Sequence, residues 1–264
     1  MPAMNSAGHI RFERDAASGA IARVTISNPG RLNALTRAMW RELRAVFDDL
    51  AEREDELRAV IVQGENGHFA AGADLEEFQH FHFDPGQARA FHEREPAPSL
   101  HAMLACDVPL IAQIEGVCIG GGLEIAACCD IRIAGAGSRF GAPIAKLGFP
   151  MAPDELAIMV AAVGRATMAE LLLEARLYDA AQALQRGLVH RVVADAEVAA
   201  EAQATAQRIA ALPPLTARIN KQTLRQLAEH SSKAHFDEAQ RAAHYRYASS
   251  EEHRDGIAAF LKRS

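Results

Sequence analysis

Apolar residues recur along the chain with two different periods. Residues 20–27, AIARVTIS, carry apolar side chains at Ile21, Val24 and Ile26, a strand pattern that Asn28-Pro29-Gly30 ends as a turn. Thr36 is suited to cap a helix through about Arg53, because Trp40, Leu43, Val46, Phe47 and Leu50 fall on one face. LRAVIVQ at 57–63 is a short strand of the buried kind, ending at Gly64, and the loop GENGHFAAGAD leads into a helix near Leu75. Strand signals return in PLIAQI (109–114) and DIRIA (130–134), with helical spacing from Gly121 to Cys129 between them. From Pro153 onward the pattern is helical, broken at Gly187 with LVHRVV and at Pro213-Pro214. Residues 79–98 fit neither period. QHFHF, Asp84-Pro85-Gly86, Pro96 and Pro98 predict a mobile surface segment around a short helix. The class is α/β: strands alternate with helices to about residue 150, and a helical third follows.

Composition narrows the field. At 264 residues, 49% hydrophobic and 23% charged, the chain is long enough for one large domain, or one with an appendage, without staples. A net charge of -6 and a pI near 6.0 argue against a general binder of nucleic acid or anionic membranes. Cys106, Cys118, Cys128 and Cys129 form no C-x-x-C pair and read as buried, reduced thiols of a cytoplasmic protein. The N-terminal stretch lacks the apolar core of a signal peptide. Gln113, Glu115 and Glu124 interrupt the apolar run 108–129, so it does not read as a membrane span.

The segment EGVCIGGGLEIAACCD, residues 115–130, brings chemistry into this picture. A glycine-rich entry to a helix exposes backbone N–H groups that lack an intrahelical partner, at the positive end of the helix dipole. A dinucleotide fingerprint would need glycine where Ile125 stands, and a phosphate loop would need Gly-Lys-Ser/Thr; neither is present. Glycines in such a place also serve close helix–strand packing. A second small-residue loop, His68-Phe69-Ala70-Ala71-Gly72-Ala73-Asp74-Leu75, offers a second donor. Two loops giving one N–H each to the same carbonyl oxygen make an oxyanion hole.

FAAGADL followed by GGGLEIAACCD resembles the paired signature of the enoyl-CoA hydratase/isomerase (crotonase) family. NPGRLNAL (28–35), GAPIAKLGFP and DGIAAFLKR are similar to other segments of that family, in its order, from about residue 10 to the C-terminus. The resemblance implies a spiral ββα core over residues 1–200 with the acyl-CoA site, and a C-terminal helical trimerisation region over 201–264. A homotrimer or a hexamer is implied, acting in fatty acid metabolism, with no cofactor besides the coenzyme A of the thioester substrate. It further implies that the N–H groups of Ala73 and Gly121 hold the thioester oxygen as it becomes an enolate. Arg31, Leu32, Ala34, Ala71, Asp74 and Leu75 fall at CoA-binding positions, with Lys221 and Lys262 as further cations on C-terminal helices. For those lysines a solvated helix face is the plainer reading.

Glu124 stands at the first of the family's two catalytic glutamates, and a partly buried carboxyl beside an acyl group is open to pKa tuning. The second glutamate is absent: Phe140-Gly141-Ala142-Pro143 is followed by Ile144, which transfers no proton. That departure weakens both strict hydratase and simple isomerase readings. Asp154, at a helix start after Pro153, is the candidate replacement, with Glu155 behind it; a helix-capping acid is the structural alternative. His80 and His82 make a weak H-x-H metal signal with no completing ligand, so no metal is expected. His80, Phe81 and His92 instead flank the acyl pocket on position alone. The leading expectation is a crotonase-type lyase or isomerase. Set against it are a CoA-thioester binding protein that has lost catalysis, and a decarboxylase or C–C hydrolase of the same family.

Overall fold

The architecture follows from how successive turns of chain distribute their strands between two sheets. A computed structural model describes residues 8–16, 19–52, 57–78 and 80–229. The larger sheet has six strands in the order β1-β2-β3-β4-β6-β9 and the smaller has three in the order β5-β7-β8. β1 (His9–Arg14) pairs antiparallel with β2 (Ile21–Ser27). β2, β3 (Ala59–Gly64), β4 (Leu110–Ile114), β6 (Ile131–Gly135) and β9 (Arg191–Val193) run parallel. β5 (Val117–Ile119) and β7 (Arg139–Gly141) are parallel neighbours in the smaller sheet, and β8 (Leu177–Asp179) joins β7 antiparallel. Each turn thus leaves one strand in each layer, β4 then β5, β6 then β7. Two isolated bridges continue the second layer into the earlier turns, Ala70 with Cys118 and Leu35 with Ala73. This is the spiral that the resemblance implies.

The sheet is buried on both faces, as parallel sheets are. Its outer face presents Ile21, Ala59, Ile61, Ile111 and Ile133 to Ala202 and Ala206 of helix α9 (Val198–Ala210). Its inner face carries Val24, Ile26, Val60, Val62 and Ala112 into the main core. Helix α1 (Arg37–Glu52) buries Met39, Trp40, Leu43, Phe47 and Leu50 there. Burial of side chains this size is worth about 1.5–3 kcal/mol each. The Thr36 hydroxyl accepts the Met39 N–H at 3.3 Å, so the expected cap is in place. The three-residue strands β5, β7 and β8 are too short to show alternation in the sequence, whereas β1 alternates at Ile10 and Phe12, which pack on the core.

The segment 79–98 departs from expectation. Beyond α2 (Leu75–Phe78), the chain forms two ordered helices, α3 (Pro85–Arg94) and α4 (Pro96–Ala105), in place of a mobile stretch around a short helix. Pro85 and Pro96 open helices here, because proline at a first helical position gives up an N–H that has no partner anyway. Asp84 caps α3 by accepting the Gln87 N–H at 2.8 Å. Phe78, Phe81 and Phe91 are buried against one another, with centroids 4.8 Å apart for Phe81 and Phe91. Glu95, 4% exposed at the α3–α4 corner, accepts from Arg37 Nε at 2.9 Å and from Arg41 at 3.0 Å. Those two bonds pin the corner to α1.

The remaining helices are α5 (Gly121–Ala127), α6 (Pro153–Val163), α7 (Arg165–Leu173), α8 (Ala180–Gln185) and α10 (Pro214–Glu229). Lys221 on α10 is buried, not on a solvated face and not beside the cavity described below. Its ammonium meets Asp130 at 2.8 Å and the Val108 carbonyl at 2.8 Å, fastening α10 to the ends of β4 and β6. Lys262 and the DGIAAFLKR segment lie outside the described residues. All four cysteines are free and buried. Burial pushes the Cys129 thiol up to about 12, and holds Cys118 and Cys128 well above the ordinary thiol range, which makes them poor nucleophiles. No helix among the described residues is long and apolar enough to cross a membrane.

Candidate active site

Two loops at adjoining turns of the spiral line one cavity of about 240 Å³, and a third, before α1, is hydrogen-bonded to one of them. The loop before α1 contains Leu32 and Asn33 in the left-handed region, at φ 49° and 58°. Asn33 compensates this strain with its side chain, which donates to the Glu65 and His68 carbonyls at 2.8 and 2.7 Å and accepts the Asn28 N–H at 3.1 Å. The second loop, 70–74, is laced to the first: Ala71 N–H donates to Leu32 at 3.0 Å, Leu35 N–H to Gly72 at 2.7 Å, and Asp74 N–H to Leu35 at 2.9 Å. It is laced equally to the third, with Ala70 N–H donating to Val117 at 3.0 Å and Ile119 N–H to Ala70 at 2.9 Å.

The glycine triplet belongs to the third loop, and its members answer to different demands. Gly120 sits at φ 51° and ψ -121°, a conformation open to glycine. Gly122 lies against the second loop, where an added Cβ would come 2.5 Å from the Ala70 carbonyl oxygen. Gly121 is the first residue of α5, so its N–H has no carbonyl one turn back to reach. Ala73 and Gly121 both line the cavity, and among the described residues no group accepts the N–H of either. Ala71 and Leu75 line it as well. Arg31, Leu32 and Ala34 lie on the first loop, and neither they nor Asp74 line the cavity. Arg31 is held by Asp74 at 3.4 Å and Glu76 at 2.6 Å, and Asp74 also caps α2 through the Glu76 N–H at 3.0 Å.

The walls are mostly apolar: Trp40, Phe78, Phe91, Phe149, Met151 and Ile144 among them. Two carboxyls face this interior. Glu124, 6% exposed on α5, finds no hydrogen-bonding side chain among the described residues. Burial first, and the neighbouring charge of Glu155 second, raise its pKa well above the ordinary carboxylate range. The second carboxyl is Glu155, 3% exposed, and not Asp154. Asp154 is exposed in the first turn of α6 and lines a separate outer cavity. Helical phase makes the difference, since Glu155 shares the buried face of α6 with Ile158 and Met159. That i, i+3, i+4 spacing is readable in the sequence and would have selected Glu155.

Glu155 is partnered by His92 of α3, whose Nδ1 lies 2.7 Å from its Oε1. His92 lines the cavity, whereas Phe81 is buried behind it and His80 is exposed. His82 stacks on Phe78, with ring centroids 3.8 Å apart. Among the described residues, no group of three or more histidine, cysteine or carboxylate side chains is placed to hold a metal ion. The arrangement can hold an anionic oxygen on backbone donors while two buried carboxyls, Glu124 with a raised pKa among them, face an apolar guest.

Fold and cavity together define a two-layer α/β spiral protein of the kind that sets backbone donors opposite buried acids. Relatives sharpen this. A family profile described as enoyl-CoA hydratase/isomerase matches residues 16–264. A protein named probable enoyl-CoA hydratase from Mycobacterium bovis is 32% identical over 254 residues, 96% of this chain and 95% of the relative. The short-chain-enoyl-CoA hydratase of Clostridium acetobutylicum is 32% identical over 207 residues, 78% of each chain. The crystal structure of an enoyl-CoA hydratase/carnithine racemase from Magnetospirillum magneticum superposes with a TM-score of 0.89 at 39% identity, covering 98% of this chain and 94% of that one. The chain belongs to the enoyl-CoA hydratase/isomerase family and has the crotonase fold.

Proposed function

We propose that the protein hydrates the double bond of 2-enoyl-CoA thioesters. Glu124 and Glu155 act as the acid and base, and Glu155 stands in for the glutamate that Ile144 replaces. The observation that carries this reading is the pair of carboxyls lining one apolar cavity with the unpartnered N–H groups of Ala73 and Gly121. The thioester oxygen rests on those two donors. Glu155, held by His92, takes a proton from water as its oxygen bonds to the β carbon. Glu124, whose burial favours the protonated form, gives its proton to the α carbon, so one water is added and charge is conserved. Arg31, Leu32, Ala34, Asp74 and Lys262 belong to the CoA-binding side of this reading, and the acyl chain lies among Trp40, Phe78, Phe91 and Phe149. No further cofactor enters the reaction.

The names of the relatives, hydratases among them, support the same reaction class. The test is loss of the conjugated thioester absorbance with crotonyl-CoA and longer enoyl-CoAs. Hydration gives a decay that Glu124→Gln and Glu155→Gln each abolish and Asp154→Asn does not. Flat traces across the panel with intact CoA-thioester binding would reject hydration and leave the binding-protein reading and the other reactions of the family.

A further inference from the structure

His92 and Glu155 line two cavities at once. One is the interior site, and the other is an outer cavity of about 320 Å³ bordered by Arg89, Glu93, Ala97 and Asp154. The hydrogen-bonded pair, 2.7 Å from Nδ1 to Oε1, therefore forms part of the wall between them. The side chain of His92 is 19% exposed and that of Glu155 is 4% exposed, so the imidazole is the wetter of the two. From this geometry we propose that His92 is a relay: it carries protons between Glu155 and the outer cavity, with Asp154, Glu93 and Arg89 around its outer opening.

The need for such a route rests on the hydration reading. One forward turnover leaves a proton on Glu155 and removes one from Glu124, so the site must be reset before it can act again. The interior mouth then holds a CoA thioester. In the outward step, Glu155 gives its proton to His92 Nδ1 as His92 Nε2 gives its own to water in the outer cavity. One N–H bond forms and one breaks on the same ring, with no net change in its charge; as product leaves, the ring returns to its starting tautomer by exchange with outer-cavity water, and Glu124 regains a proton from solvent entering the interior site. The ionisable groups around the ring are Glu155 and Asp154 of α6 and Arg89 and Glu93 of α3, with the His82 ring centroid 5.7 Å away. His92 acts through Glu155 and not on the substrate.

Two substitutions separate relay from mere support. His92→Gln keeps an amide able to donate to Glu155 but cannot pass a proton through. His92→Ala leaves a gap that free imidazole can fill from the outer cavity. We expect kcat for enoyl-CoA hydration to fall at least tenfold in both variants with KM within twofold of wild type. Added imidazole restores the Ala variant and leaves the Gln variant unchanged. Full kcat in His92→Gln overturns the relay and leaves hydration intact. A folded His92→Ala, judged by circular dichroism, whose lost kcat imidazole does not restore also overturns it. A wild-type enzyme inert toward the whole enoyl-CoA panel removes the hydration reading itself, and the relay with it.

Discussion

Gly122→Ala tests whether close approach of two loops sets the geometry of the site. The new Cβ would lie 2.5 Å from the Ala70 carbonyl oxygen and 2.8 Å from the Ala70 Cβ, where ordinary contact begins at 3.4 Å. The nearer atom is backbone, held by the Ile119 N–H at 2.9 Å, so it cannot swing aside as a side-chain tip would. The start of α5 and the 70–73 loop must therefore part by roughly 0.9 Å, and the N–H groups of Ala73 and Gly121 part with them. Misplacement near 1 Å costs about 10²-fold in rate, equivalent to roughly 2.7 kcal/mol of barrier. Overpacking costs about 1–3 kcal/mol of stability. At about 2–4 °C per kcal/mol for a chain of this size, Tm drops by several degrees. Thermal melting and enoyl-CoA turnover on the same preparation, corrected for folded fraction, measure both effects. A Gly122→Ala protein with wild-type kcat and wild-type Tm would refute the claim that this contact positions the donors.

Glu124→Gln should abolish turnover and also change how stability depends on pH. The folded-state pKa of Glu124 is raised above its ordinary value of 4.5, so the folded protein binds this proton more tightly than the unfolded chain does. Wild type then loses stability as pH rises from 4.5 toward the raised pKa, and glutamine removes that loss. The Tm advantage of Glu124→Gln should therefore widen as pH rises above 4.5 and level off beyond the raised pKa; a difference that stays constant as pH rises from 4.5 contradicts the burial argument. Glu95→Gln leaves Arg37 and Arg41 without their shared carboxylate at the α3–α4 corner. Because both arginines reach solvent and can be rehydrated, the expected loss is that of charge-assisted hydrogen bonds, about 1.5–3 kcal/mol by urea denaturation. A loss under 0.5 kcal/mol, the range of ordinary surface changes, would show that the corner is held by its aromatic packing instead.

How much of this was legible beforehand depended on the length scale of each feature. Strands β2, β3, β4 and β6 and helix α1 have enough apolar residues to announce themselves, and the two glycine loops stand out by composition. The interval 79–98 does not, because Pro85 and Pro96 look like breaks although each begins a helix, and because Phe78, Phe81 and Phe91, which pack on one another, come from α2, the following turn and α3. The choice between Asp154 and Glu155 turned on a helical phase of one residue, about 100° of rotation. Ile158 and Met159 fixed that phase within the sequence itself. The pairing of His92 with Glu155 spans 63 positions. No local pattern encodes a contact of that range; it exists only once the fold brings α3 within reach of α6.

The loop of Leu32 and Asn33 has a consequence for the thermodynamics of recognition. Its left-handed residues are fixed by amide bonds from Asn33 into the β3 turn, and its carbonyls and N–H groups are already engaged by the 70–74 loop. A ligand arriving at this rim meets a surface whose ordering entropy was spent when the chain folded. Its affinity is spared the cost of immobilising a mobile segment. Selectivity at that rim then comes from fit to a fixed shape, and the loop can reject a guest by refusing to move.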